Sequence, residues 1–291
     1  MTILVTGATG KFGSTVVDSL LKRGLAAQLA VSVRDPAKAN HYKERGVDVR
    51  RADFDDAASL TSAFTGVDRL LIISTDGDNE TRIRQHKTAV HAAQEAGVHF
   101  IAYTSISNAS NNPLSLAEVH RATEDAIRAT RIPYAFLRNN WYLENELGSV
   151  QAALAGAPII TSAGKGKVGW ALRADYAQAA AAVLAGSGHE NVIYELSGSL
   201  STYDDFAAAL GQALGHPVPV EHVDDAAYGQ SLAGAGLPAF LVPVLVGFAT
   251  QIRAGALAVE SNDFQKLLGH PATPLREALQ QLVAQLQSQA K

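Results

Sequence analysis

The chain has 291 residues, 47% hydrophobic and 18% charged, with a formal net charge of −4 and no cysteine. That length suits one large domain or a domain with a smaller lobe, and the composition is that of a globular chain rather than a disordered one. The charge offers no broad basic surface for nucleic acid, and the absence of cysteine excludes disulfides, zinc–thiolate sites and thiol nucleophiles.

The first stretch, MTILVTGATGKFGS, carries the strongest local signal. Thr2 to Thr6 is mostly β-forming. Glycine then arrives at positions 7, 10 and 13, and Val16, Val17, Leu20 and Leu21 follow at helical spacing. The pattern is a buried strand, a tight turn and the start of a helix. Gly7 is needed for the sharp turn, Gly10 for close backbone approach to a pyrophosphate, and Gly13 for helix–strand packing. Thr9, Lys11 and Phe12 share the turn, and the positive end of the helix faces the phosphates. A dinucleotide is the expected ligand. No basic and apolar leader precedes this strand, so no secretory signal is expected. The apolar run from Phe240 to Ala249 is interrupted by Pro243 and is too short to span a bilayer. A cytoplasmic protein is expected.

Further strands are predicted at Leu29 to Val33, Val47 to Val49, Val67 to Ile73, Val98 to Thr104 and Tyr134 to Leu137. Helices are predicted through Lys43 and over about 56–64, 80–96 and 116–130. Strands alternating with helices of this length predict an α/β fold, a doubly wound parallel sheet of the Rossmann type. The regularity breaks after Arg138. There a helix near 175–184, a strand at 192–196, a helix at 202–214, a short strand at 217–222 and three further helical runs suggest a smaller C-terminal α/β lobe. The expected division is 1–150 for the dinucleotide-binding domain and 151–291 for the substrate lobe, with some lobe strands returning to the sheet.

Arg34 lies 21 positions beyond Gly13, close to the roughly 20 at which a ribose-reading residue sits. Asp35-Pro36 reads as a helix N-cap followed by proline at the first helical position. Arg34 is thereby left for a 2′-phosphate, with Lys11 adding charge, and NADP(H) is predicted over NAD(H). Asp53, after the third strand, is either an adenine-contacting acid or an N-cap. Ser74 and Thr75 should lie beneath the cofactor, Ser74 through backbone or side chain, and Thr104 is assigned to the same site. Asn139, Trp141 and Tyr142 follow the sixth strand at the sheet's carboxyl edge.

TGATGKFG, VRDPAK, FIAYTS and IPYAFLRNNWYLEN together resemble the NmrA-like branch of the atypical short-chain dehydrogenase/reductases, over nearly the whole chain. Within that branch the likeness is to bacterial NAD(P)H:quinone oxidoreductases and triphenylmethane-dye reductases. The superfamily's usual catalytic device is a tyrosine with a lysine four residues on. Aligned on Glu124, those positions hold Leu116 and His120, so the dyad is absent. His120 and Glu124 share a helical face and could hydrogen-bond. His120 is the candidate proton source, since histidine titrates near neutrality, or else a group packed against the ribose.

Quinones and cationic dyes accept a hydride with little acid assistance. The missing dyad therefore implies a quinone reductase, or an NADP(H)-sensing regulator that binds cofactor without turnover. A planar acceptor is expected to stack on Trp141 and Tyr142, unless these rings seat the lobe. Ser105 or Ser107 is a candidate for orienting substrate. The segment 240–248 is left as a pocket roof or a homodimer seam. His86 and His91, five apart, do not share a helical face, and no metal is expected.

Overall fold

The computed structural model describes residues 1–289. The chain begins β1 (Ile3–Thr6), α1 (Lys11–Lys22), β2 (Leu29–Val33), α2 (Asn40–Lys43), β3 (Asp48–Arg51), α3 (Ala57–Phe64) and β4 (Arg69–Ile72). It continues α4 (Asn79–Glu95), β5 (Phe100–Ile106), α5 (Leu116–Thr130) and β6 (Tyr134–Asn139). After β6 come α6 (Leu147–Leu154), β7 (Ile159–Thr161), α7 (Arg173–Ala185), β8 (Val192–Leu196), α8 (Tyr203–Leu214) and β9 (Val220–His222). The chain closes with α9 (Asp225–Gly234), α10 (Val242–Arg253), α11 (Asp263–Leu268) and α12 (Leu275–Gln289).

Seven strands form one parallel sheet in the order β3-β2-β1-β4-β5-β6-β8. β1, β2 and β5 are buried along their whole length, as strands covered on both faces must be, and this explains their unbroken apolar runs. The edge strand β3 is instead charged and half-exposed, which blunts an open edge. It lies slightly later than the predicted Val47–Val49. α1 packs on α7, and α3, α4 and α5 pack on one another, so the two faces of the sheet enclose separate apolar cores. The order reverses beside β1, where the connection to β2 runs one way and that to β4 the other. That reversal opens the crevice in which doubly wound sheets bind ligands.

β7 and β9 form a second, two-stranded parallel sheet. With parts of α8, α10 and α12 and the Trp170 region it encloses a third core. β8 and α7 rejoin the main sheet although they follow residue 150. A cut at that residue would run through α6 (Leu147–Leu154), so the two parts interleave more deeply than the predicted boundary. Four helices follow β9 where three runs were expected, and α6 and β7 were not anticipated. Asp35 accepts from the Ala37 N–H, with proline next in the chain, as expected of a cap. The cap of α3, however, is Asp56, which accepts from the Ser59 N–H at 3.1 Å. Asp53 is therefore not the N-cap, and its Oδ1 accepts from the Asp55 N–H instead.

Candidate active site

The glycine turn has the geometry its sequence demands. Gly7 has φ +60°, and its carbonyl accepts from the Gly10 N–H at 2.9 Å. Gly10 caps α1 in an extended conformation without any side-chain bond, which leaves first-turn N–H groups open to an outside acceptor. A Cβ on Gly13 would stand 2.3 Å from the Gly7 carbonyl oxygen, and one on Gly10 would stand 3.2 Å from it. The turn is thus a backbone cradle that needs glycine at position 13 for space and favours it at position 7 for its positive φ, with the shape and dipole a pyrophosphate requires. Tyr42 supports it from below, donating to the Ala8 carbonyl at 3.3 Å. Thr9, Lys11 and Arg34 are exposed at its rim, and Arg34 makes no ion pair among the described residues.

Across the crevice, the loop leaving β4 is fastened by three side chains. Thr6 Oγ1 accepts from the Ile73 N–H, Thr104 Oγ1 from the Ser74 N–H and His86 Nε2 from the Thr75 N–H, each at 2.9 Å. Thr104 therefore holds the loop through its acceptor oxygen. The Ser74 N–H is already committed, so backbone donation from Ser74 is excluded. Because an amide N–H can only donate, neutral His86 carries its proton on Nδ1. That Nδ1–H faces Thr123 Oγ1 at 2.8 Å, and the Thr123 hydroxyl in turn donates to the Val119 carbonyl at 2.7 Å.

His120 lies in the same buried group, its Nδ1 2.8 Å from the Tyr103 hydroxyl. It does not bond Glu124. Burial, then the charges of Arg82 and His86, hold His120 well below the usual histidine range. Burial and Arg82 bring His86 down to about 3. His120 is consequently a neutral imidazole at physiological pH, which corrects its expected role as an acid titrating near neutrality. His91 is far from this group in character, an exposed side chain 3.5 Å from Glu95.

Glu124 belongs to a buried ionic cluster with no counterpart in the sequence reading. It accepts from Arg138 Nε at 2.9 Å and Nη2 at 2.7 Å, from Arg128 at 3.1 Å and from the Ser105 hydroxyl at 2.7 Å. Arg138 also reaches Glu195 at 3.1 Å and Ser110 at 3.0 Å. Glu195 takes the Ser107 hydroxyl at 3.2 Å and the Asn108 N–H at 2.9 Å. Ser105 and Ser107 are thus absorbed into the cluster joining β5, α5, β6 and β8, and neither is free to orient a substrate.

At the end of β6, Asn139 Nδ2 donates to the Tyr142 hydroxyl at 2.9 Å, while its Oδ1 is buried without a partner. The Tyr142 ring stacks on Phe12 of the first turn, with centroids 5.9 Å apart and planes 13° apart, and it also meets Tyr176 at 4.9 Å and the Arg173 guanidinium at 5.7 Å. Burial pushes the Tyr142 hydroxyl up to about 12. Phe12 and Tyr142, 130 residues apart in the chain, therefore close one end of the crevice together.

Trp141 points the other way. Its indole N–H donates to Glu146 Oε1 at 3.1 Å, and its ring meets Phe248 of α10 edge-on at 5.5 Å. The same carboxylate oxygen accepts from the Trp170 indole at 3.2 Å and the Tyr203 hydroxyl at 3.0 Å. Burial raises the Glu146 pKa against the pull of these donors. Trp141 thus seats the lobe, and the segment 240–248 divides: Phe248 packs on Trp141 while Phe240 and Val244 are 72% and 43% exposed. Tyr103 and Arg138 lie within the FIAYTS and IPYAFLRNNWYLEN stretches and Glu146 just beyond the second, but only the fold brings their partners to them. Among the described residues no acidic or histidine cluster could hold a metal, and no helix is long and apolar enough to cross a membrane.

The sequence profile of the NmrA-like family matches residues 1–251. Quinone oxidoreductase 2 of Escherichia coli (strain K12) is 43% identical over 281 residues, covering 96% of this chain and 98% of that protein. The NADPH-dependent quinone oxidoreductase from Escherichia coli complexed with NADPH superposes with a TM-score of 0.92 at 42% identity, over 97% of this chain and 99% of that one. The triphenylmethane reductase of Citrobacter sp. complexed with NADP(H) gives a TM-score of 0.92 at 39% identity, over 97% and 100% of the two chains.

Proposed function

The chain belongs to the NmrA-like family, and on that footing we propose that it is an NADPH-dependent oxidoreductase passing a hydride to quinones or similar conjugated, electron-poor acceptors. The observation that carries this reading is the state of the dyad position. Leu116 offers no proton, and His120 is buried, neutral and bonded to Tyr103. A site of that kind suits acceptors that need orientation more than acid assistance.

When bound, the cofactor supplies the hydride, and the chain's own residues bind and orient it. Gly7, Gly10 and Gly13, with the open N–H groups after Gly10, hold the pyrophosphate. Thr9 and Lys11 flank it, and Arg34 faces the 2′-phosphate, with Asp53 toward the adenine end. Ser74 borders the crevice through its side chain on the loop that Thr104 fastens. The unpartnered Asn139 Oδ1 fits a carboxamide N–H of the nicotinamide. Phe12 and Tyr142 close that end against water, while Trp141, held by Glu146 and packed on Phe248, seats the lobe beside the site.

The test is NADPH consumption by the purified protein when small quinones are added. Consumption is expected. Tight NADPH binding with no consumption on any quinone or cationic dye would overturn the reductase reading in favour of a dinucleotide sensor.

A further inference from the structure

Two arginines are buried to the same degree beside the crevice, each 6% exposed. Arg138 is saturated by Glu124, Glu195 and Ser110. Arg82, the fourth residue of α4, makes no ion pair and no side-chain hydrogen bond among the described residues, and its Nε is buried without a partner. A desolvated guanidinium left unpaired weakens the fold. Such a cost in a native site points to a use elsewhere, because strain and unmet polarity concentrate where ligands act.

The position of Arg82 says what that use is. Its stem lies against the loop leaving β4, with Cγ 4.0 Å from where a Cβ on Gly77 would stand. Its charge opposes protonation of both His86 and His120 and favours the ionised form of Tyr103. The guanidinium therefore acts on His120 at the dyad position and on His86, which fastens Thr75 in the loop at the carboxyl end of β4. There it supplies positive charge, which the nearby Asp76 carboxylate favours, and its side chain has no hydrogen-bond partner among the described residues.

We propose that Arg82 selects the acceptor by charge: it stabilises the negative oxygen formed when a neutral quinone takes a hydride, and it disfavours acceptors that are cations. The proposal rests on the reductase reading above. In the quinone reaction one C–H bond breaks on the reduced nicotinamide, which leaves oxidised by two electrons. One bond to hydrogen forms on the quinone, whose oxygen then bears one negative charge until it takes a proton from water. A hydride added to a triarylmethyl cation instead forms a C–H bond in a neutral product, so no oxyanion develops and the fixed cation repels the substrate. Positive charge placed where anionic charge develops favours the first reaction and opposes the second.

The experiment compares wild type, Arg82→Met and Arg82→Lys with NADPH and two acceptors, a neutral benzoquinone and a cationic triphenylmethane dye. NADPH affinity and thermal melting are measured on the same samples. For Arg82→Met, kcat/KM on the quinone is expected to fall roughly tenfold or more. On the dye it should hold or rise, with NADPH affinity unchanged and Tm raised, because an unpaired buried charge has been removed. Arg82→Lys should recover most of the quinone activity. Equal losses on both acceptors, a weakened NADPH affinity that accounts for the loss, or a lowered Tm would overturn the proposal. If wild type itself consumes NADPH with neither acceptor, the reductase reading fails first, before any variant is compared.

Discussion

On the β1–α1 bank of the crevice the surface is shaped by main chain, whereas on the β5–β6 bank it is shaped by side chains held by other side chains. The first bank is specified within a dozen residues. Gly7 turns the chain, Gly10 caps α1 without a side chain, and Gly13 lets the helix lie on the turn. The second bank is assembled from distant pieces. Asn139 meets Tyr142, Tyr142 meets Phe12, and Trp141 is fixed by a carboxyl that also holds Trp170 and Tyr203. A backbone cradle is fixed by its glycines, above all by Gly13, where a Cβ would meet the Gly7 carbonyl. A wall of side chains can vary and so choose among acceptors.

The largest effect should come from giving the first bank one methyl group. In Gly13→Ala the new Cβ would meet the Gly7 carbonyl oxygen at 2.3 Å and the Gly7 carbonyl carbon at 2.9 Å. Both are backbone atoms that no rotamer change can move. α1 must retreat from the turn, which opens the cradle. Overpacking of this kind costs about 1–3 kcal/mol. NADPH affinity measured by titration should fall by roughly tenfold to 100-fold, with a lowered Tm. An unchanged affinity would show that the close packing of α1 on the turn does not shape the phosphate site.

The same contrast decides what the sequence made legible. Parallel strands buried on both faces announce themselves as apolar runs, and α5 at Leu116–Thr130 and β8 at Val192–Leu196 lie where periodicity and apolarity put them. The glycine cradle is equally local. The Glu124–Arg138–Glu195 cluster is not, because its members stand on α5, β6 and β8 and become partners only when the sheet closes. Glu124 looked available to His120 by i, i+4 spacing, but a buried guanidinium offering two hydrogen bonds outcompetes a neutral imidazole. Arg82 and His86 likewise share a helical face at a spacing shared with countless solvated pairs. Nothing local distinguishes a histidine that fastens a loop from one in water. The return of a lobe strand to the sheet was expected, but which elements return was not legible: α7 and β8 are drawn back by the apolar face of α1 and the open edge of β6, both remote in the chain.

A middle-sized effect should appear when the second bank is titrated. His86 and His120 both have folded pKa values below the roughly 6.5 of an unfolded histidine, His86 at about 3. In the window between those values the unfolded chain binds protons that the folded chain refuses. Stability from these residues is therefore full above about pH 6.5 and falls as the pH drops toward 3, by about 1.4 kcal/mol per pH unit for each histidine. Urea unfolding at a series of pH values should show this slope. It should flatten in a His86→Gln, His120→Gln double variant, and an identical slope would mean that the buried imidazoles take up protons in place. For the same reason kcat/KM should show no inflection near 6.5 from His120.

The smallest effect tests the exposed rim of the first bank. Arg34 is exposed just after β2 and makes no ion pair among the described residues, and Asp35 beside it is committed to capping. A 2′-phosphate would receive its guanidinium as a bidentate fork. An exposed contact of this kind is screened by salt and by water, so its loss is smaller than that of the cradle. Arg34→Ala should weaken NADPH by roughly tenfold and leave NADH nearly unchanged, since a hydrogen bond to a charged group contributes about 1.5–3 kcal/mol. Because Lys11 stands on the opposite rim of the same turn, the double variant with Lys11→Ala should lose more preference than either alone. Raising the salt concentration should erode the wild-type preference toward that of the variant. Equal losses for NADPH and NADH in Arg34→Ala would place the arginine on the shared part of the cofactor, and the 2′-phosphate would then need another reader on the same bank.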